Sequence, residues 1–268
     1  MCVVYFYQNE NFESSGYRLV LAMNRDESWR RPTQTVQFWG TRMDCISGLD
    51  MERGKEGGTW LGMNKSGKIG VVLNIPGQGD PSKRGRGFLV SDYLSQDLKM
   101  EVYADKILRT RDDYNGFNLI LFDVTVSSYY LLSTSSETYG LANSPLEFPF
   151  LKVQRGQERF SSIVGKYSDT CTKQSLVDGL MDLMADKTPF HQDAELDKVI
   201  AAARLNPAFT ACRSAINICC PLEEFGTRTT TVILVDMEGK VDYIEKTVDH
   251  LGPVQNEETV HKTFKLSK

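Results

Sequence analysis

The sequence predicts a layered α+β body in which two mainly antiparallel sheets pack face to face with helices outside. Three observations carry this. Runs of β-branched, aromatic and aliphatic residues come in adjacent pairs joined by polar links, the mark of hairpins, and do not alternate one by one with helices. Some runs, such as Val71-Val72-Leu73 and Val232-Ile233-Leu234-Val235, are apolar on both faces and so need cover on both sides. The region from Val153 to Ala203 reads as mostly helical, with breaks at Gly165, Pro189 and Pro207, and supplies a covering layer.

In chain order, Cys2-Val3-Val4-Tyr5-Phe6-Tyr7 resumes after a polar link as Tyr17-Arg18-Leu19-Val20-Leu21-Ala22. A turn centred near Phe12 and Glu13 sets Cys2 opposite Met23 and delivers Asn24-Arg25-Asp26-Glu27 beside the start of the chain. Pro32 stops any regular element. Val36 to Trp39 is a short strand, followed by Ile46 to Asp50 and the loop Arg53 to Gly58. Thr59 to Met63 and Lys68 to Asn74 make a second hairpin, and Ile75 to Pro81 is an exposed loop. Arg86 to Leu94 and Val102 to Leu108 have helical apolar spacing. Phe117 to Asp123 and Tyr129 to Ser133 form a third pair, and Tyr139 to Pro145 ends in a turn. Thr229 to Asp236 and Lys240 to Val248 are the final hairpin, and Val260 to Leu266 is a last strand.

The 268 residues contain no repeat and no Pro/Gly/Ser-rich linker, so a single domain over 1–268 is expected. A hydrophobic content of 41% with 25% charged residues is that of a globular protein, not a disordered one. A net charge of −4 offers no basic field for nucleic acid. No apolar run approaches the roughly 18 residues of a membrane span, and the N-terminus lacks the basic flank of a secretion signal. An intracellular, cytoplasmic protein is expected. The six cysteines, at 2, 45, 171, 212, 219 and 220, show neither zinc-type spacing nor a disulfide framework, which favours a reducing compartment and no metal site.

Cys2 carries a specific chemistry if Met1 is removed. The chain then starts with a thiol and a free α-amine on one residue. An α-amine titrates near about 7.7–8.0, so part of it is unprotonated at neutral pH and can serve as a base, while the thiol is the nucleophile. The alternative is a cysteine acting as a small hydrophobe in a strand.

The order of motifs resembles a known family. Cys2, Asn24-Arg25-Asp26-Glu27, Gly54-Lys55-Glu56-Gly57-Gly58-Thr59-Trp60-Leu61-Gly62, Asn115-Gly116-Phe117-Asn118-Leu119 and Gly226-Thr227-Arg228-Thr229 together resemble the transport and Golgi organisation 2 (Asn-Arg-Asp-Glu) family. A more distant similarity is to choloylglycine-hydrolase-type N-terminal nucleophile hydrolases, which implies a four-layer αββα sandwich. In that similarity Asp26 matches the aspartate at the end of the second strand, and Asn74 and Asn143 match two later asparagines. One position departs, for Met23 stands where those hydrolases carry arginine.

The resemblance implies roles. Cys2 attacks a carbonyl, Asp26 orients its amine, Asn74 and Asn143 donate to an oxyanion, and Arg228 holds an anionic group. Asn24, Arg25, Glu27 and Cys220 are candidate ligand-binding positions. The family resemblance further implies haem mobilisation from haem-rich compartments, and lipid and acyl-CoA homeostasis, with peripheral association to mitochondria or Golgi. Haem is then a ligand and no cofactor is required. Cys220-Pro221 is a dipeptide of the kind seen at thiolate haem sites and equally an ordinary strand-end turn. The basic loop residues Lys55, Lys83, Arg84 and Arg86 suit propionates or phosphates. An N-terminal-cysteine amidohydrolase and an acyl-CoA binder that meets phosphates through Arg25 or the loop lysines are the alternative readings.

Overall fold

The computed structural model describes residues 1–9, 16–40, 44–77, 79–133, 141–143, 149–251 and 256–267. The expected turns at Phe12-Glu13 and at Ser144-Pro145 lie outside them. The first half of the chain runs β1 (Val3–Gln8), β2 (Tyr17–Ser28), β3 (Thr33–Phe38), β4 (Cys45–Asp50), β5 (Leu61–Asn64), β6 (Lys68–Asn74), α1 (Phe88–Ser95) and α2 (Met100–Thr110). Then come β7 (Phe117–Asp123), β8 (Ser128–Ser133), β9 (Leu141–Ala142), α3 (Leu151–Lys166), α4 (Lys173–Met184), α5 (Ala194–Ala202) and α6 (Thr210–Ser214). The chain closes with β10 (Cys219–Cys220), β11 (Phe225–Asp236), β12 (Lys240–Asp249) and β13 (Asn256–Lys265).

Two sheets result. One has the order β13-β12-β11-β2-β1-β9 with β10 on β11, the other β3-β4-β5-β6-β7-β8, and every pairing between strands is antiparallel. Side chains alternate across each strand, and the alternation sorts the core into three slabs. Val20, Ala22, Val232 and Leu234 face Phe160, Leu180 and Leu196 of the helices α3, α4 and α5. Leu19, Leu21, Met23, Ile233 and Val235 face Ile69, Val71 and Ile120 of the other sheet. Leu119 and Leu121 turn outward onto Leu89, Val90, Tyr103 and Ile107 of α1 and α2. Helices, sheet, sheet and helices form four layers, the αββα arrangement. At about 1.5–3 kcal/mol for each large apolar side chain fully buried, these slabs hold the layers together.

Two details place the functional region. The first hairpin pairs Val3 with Asn24 and Val4 with Met23. This corrects the expected Cys2–Met23 pairing by two residues, a shift that keeps every side chain on its face. In α3 a Cβ at Gly156 would lie 1.9 Å from the Tyr5 hydroxyl. Only glycine allows this approach, and it lets Tyr5 donate to the Lys152 carbonyl at 2.7 Å.

Glu245 links the two sheets from inside. Its carboxylate accepts from the Val36 amide at 3.0 Å and the Thr231 hydroxyl at 3.2 Å. Burial lifts this carboxyl from 4.5 to about 7, against the smaller pull of those two bonds and of Arg25. The folded state thus holds the proton more tightly than the unfolded chain. The resulting stability is fully present below pH 4.5 and is lost as pH rises through about 7. Urea denaturation at pH 5 and pH 8 is expected to show Glu245→Gln gaining about 3 kcal/mol on the wild type between the two, and an unchanged difference would refute this account.

Candidate functional site

Residues 2 and 26 meet at the upper end of the first sheet. The Asp26 amide lies 3.3 Å from the Cys2 sulfur and the Asp26 carbonyl 3.7 Å from it. By strand alternation the thiol is on the side of the second sheet, where Cys2 packs with Val4 and Leu21, and the Asp26 carboxylate is on the side of the helices. The carboxylate is held at three points. Oδ1 accepts from the Thr227 hydroxyl at 2.5 Å, Oδ2 is 3.0 Å from the Met1 amine, and the Lys152 ammonium is 4.0 Å away. Thr227 reaches it because β11 carries a bulge between Thr227 and Thr229. The bulge breaks the alternation, bringing Thr227 to the Asp26 face and turning Arg228 away.

The N-terminus is buried at the wall of a cleft. Met1 is 4% exposed, with its side chain in the apolar slab under the helices. Burial pushes its amine below the usual range, an effect that nearby Lys152 strengthens and Asp26 opposes. Burial, and then the Asp26 charge, push the Cys2 thiol up. Burial likewise lowers Lys152, with Asp26 opposing.

Above these groups opens a cleft of about 300 Å³, bounded by Cys2, Asp26, Glu27, Asn74, Arg86 and Asn143. Asn74 is at the exposed end of β6, and its backbone carbonyl accepts from the Asn143 carboxamide. The Asn143 side-chain oxygen is buried without a hydrogen-bond partner among the described residues. Of the nine sequence candidates, Cys2, Asp26, Glu27, Asn74 and Asn143 therefore share one cleft.

The other four are placed elsewhere. Asn24 is fully buried and its carboxamide is spent on protein. It donates to the Met184 carbonyl at 2.8 Å and the Ile216 carbonyl at 3.0 Å and accepts from the Thr230 hydroxyl at 2.7 Å. Arg25 lies on the opposite face of β2, its guanidinium 4.0 Å above the Trp60 ring and 3.2 Å from the Thr33 hydroxyl. Arg228 ties the corner after β2, donating to the carbonyls of Arg31 and Ser28. Cys220 is joined to Cys212 in a disulfide with Cα atoms 5.9 Å apart. This corrects the reading of the cysteines as unpaired and leaves Cys220 no thiolate to offer an iron. α6 brings together two residues whose spacing gives no sign of it.

Sequence reasoning missed Lys152 and Thr227. Lys152 donates from Nζ to the carbonyls of Met1 at 2.6 Å, Ala215 at 3.2 Å and Arg213 at 3.4 Å. A signal existed. Lys152 stands in line with Gly156, Phe160 and Val164 on the buried stripe of α3, where a lone lysine needs a partner.

Comparison with known proteins adds the family. A family model described as Transport and Golgi organisation 2 matches residues 1–250. The chain belongs to this family. A homologue from Mus musculus, "Transport and Golgi organization 2 homolog", is 35% identical over 263 residues, covering 92% of this chain and 93% of that protein. The Homo sapiens homologue is 35% identical with the same coverage, and the Drosophila melanogaster protein 33% identical over 94% of each. Among solved structures, two variants of conjugated bile acid hydrolase from Clostridium perfringens align over the whole chain and over 97% and 98% of theirs, at 13% and 12% identity with TM-scores of 0.39 and 0.40. That likeness is too distant to carry chemistry across.

In this family member the first residue of the Asn-Arg-Asp-Glu signature bolts β2 to the helical layer. Asn24→Ala would take away the donor to the Ile216 carbonyl and the acceptor of the Thr230 hydroxyl, and leave the Met184 carbonyl with Asn217 alone. It is expected to cost about 2–4 kcal/mol in a denaturant titration, and a variant as stable as the wild type would show Asn24 to be free for other work.

Proposed function

We propose that the cleft cleaves an amide C–N bond of a small acyl compound with Cys2 as nucleophile, once Met1 has been removed. The observation that carries this is the pairing of the thiol and the terminal amine around one residue, Asp26, at the floor of an open cleft. In the mature chain the Cys2 α-amine accepts the thiol proton and the sulfur attacks the carbonyl. The amine leaving group takes that proton, a thioester remains, and water, deprotonated by the α-amine, hydrolyses it. Asp26, fixed by Thr227, orients the α-amine. Asn143 supplies a carboxamide N–H to the developing oxyanion, and Asn74 and Arg86 border the acyl group.

A second reading, the haem mobilisation that the family resemblance implies, is favoured by a separate groove of about 650 Å³ between α4 and β12. Its floor is Val177, Met181, Ile244 and Val248, and its rim holds His250 and His261. This geometry suits a flat amphipathic cargo, although His250 bonds the Thr227 carbonyl at 3.1 Å and His261 bonds Asp242 at 2.8 Å.

Intact mass and activity decide the first reading. The purified protein, split into fractions with and without Met1, is incubated with a panel of N-acyl amides and free amine is measured. Turnover is expected only without Met1 and is lost at least about 100-fold in Cys2→Ala and Asp26→Asn. Equal turnover with Met1 in place would overturn it. For the second reading, a haem titration is expected to give a saturable Soret change that His250→Ala and His261→Ala weaken and Cys2→Ala leaves alone.

A further inference from the structure

Three ionisable nitrogen and oxygen groups are buried together at the floor of the cleft: the Asp26 carboxylate, the Met1 amine and the Lys152 ammonium, the last with no exposure. The neighbouring charges are already engaged or stand outside. Asp193, at the start of α5, caps α3 and α5 through the amides of Leu151 and Leu196. Arg213 pairs with Glu223. Arg25 is on the far face of β2, and Glu27 and Arg86 stand at the cleft mouth. The Cys2 thiol, held up by burial, adds no compensating negative charge. In direct contact, one carboxylate thus faces two amines, and the next negative charge, Asp193, acts on Lys152. Burying the second ammonium uncompensated is strongly unfavourable, so one amine gives up its proton.

The acceptors decide which. Lys152 has three N–H donors as a cation and three carbonyls to receive them, those of Met1, Ala215 and Arg213. As a neutral amine it would point a lone pair at one of these oxygens. The terminal amine has Asp26 as its ion-pair partner and no such cage. We infer that Lys152 is the positioning residue for the base: it keeps the single positive charge of the cluster, so that the amine beside Asp26 is left neutral. This rests on the nucleophile reading above. When Met1 is absent, Lys152 keeps the Ala215 and Arg213 carbonyls and has Asp26 as its next acceptor, 4.0 Å away. The Cys2 amine, bonded until then to the Met1 carbonyl carbon, takes over the neutral state within reach of the thiol. Lys152 touches no substrate and acts through that amine.

The test has two arms. NMR titration of wild-type protein labelled with 15N at the terminal amine and 13C at lysine ε-carbons reads both charges without turnover, on chains with and without Met1. The α-amine is expected to titrate below the range of an ordinary α-amine and to lose its proton before Lys152 does. An α-amine titrating at or above 8, or a Lys152 neutral at pH 7, overturns the inference. The second arm follows acylation of Cys2 by p-nitrophenyl acetate against pH in the Met1-free chain. Lys152→Met is expected to move the acid limb up by about one unit, a loss that nears tenfold well below that limb and vanishes well above it, and Lys152→Arg to restore at least half of the shift. A limb left in place, with rates unchanged or uniformly lower, overturns it. A Lys152→Met chain that does not fold leaves the first arm to decide. A chain that never acylates Cys2 sinks the amidase reading while the titration still judges Lys152.

Discussion

The carboxylate of Asp26 is the point on which the upper end of the molecule depends. It is buried, and a buried carboxylate persists as an ion only where positive charge and hydrogen-bond donors surround it. Strand β11 brings a hydroxyl, α3 brings an ammonium and the chain start brings an amine. Each donor comes from a different element, so the ion acts as a clasp joining the first strand, the central strands and the helical layer. A neutral isostere there would weaken all three attachments together.

The four residues Asn24 to Glu27 show how one strand serves several layers. Alternation sends Asn24 and Asp26 toward the helices and Arg25 toward the second sheet, where it stacks on Trp60. Glu27, farther out, reaches the open cleft. A contiguous tetrapeptide thus divides into a bolt, a stacking cation, a buried ion and a half-buried carboxylate. The register of β2 between β1 and β11 sets the division, because a slip of one residue would exchange the faces.

The layers were legible because they follow from local patterns. Paired apolar runs gave the hairpins, two-faced runs such as Val71 to Leu73 required cover, and the helical stretch after Val153 provided it. The meeting of Cys2 with Asp26 was also readable, since a hairpin returns the chain to its own start. What was not readable depended on distant approaches. Lys152 reaches the N-terminus because Gly156 lets α3 settle on Tyr5, and no short window of sequence records that contact. The Cys212–Cys220 bond needs the turn of α6, and the position of Thr227 needs the bulge at Arg228. Arg228 and Asn24 lie away from the cleft for a related reason: residue type suggests a ligand contact, but both side chains bond backbone carbonyls as internal ties.

The burial of Met1 beneath α3 also sets a clock. In the finished fold the first residue is 4% exposed and Lys152 grips its carbonyl, so trimming it there would break that bond. During synthesis, Lys152 emerges 151 residues later, which at about 5–20 residues per second is on the order of 10–30 s. The removal of Met1 that the proposed chemistry requires would leave that contact unbroken only if it came before the helical layer closes.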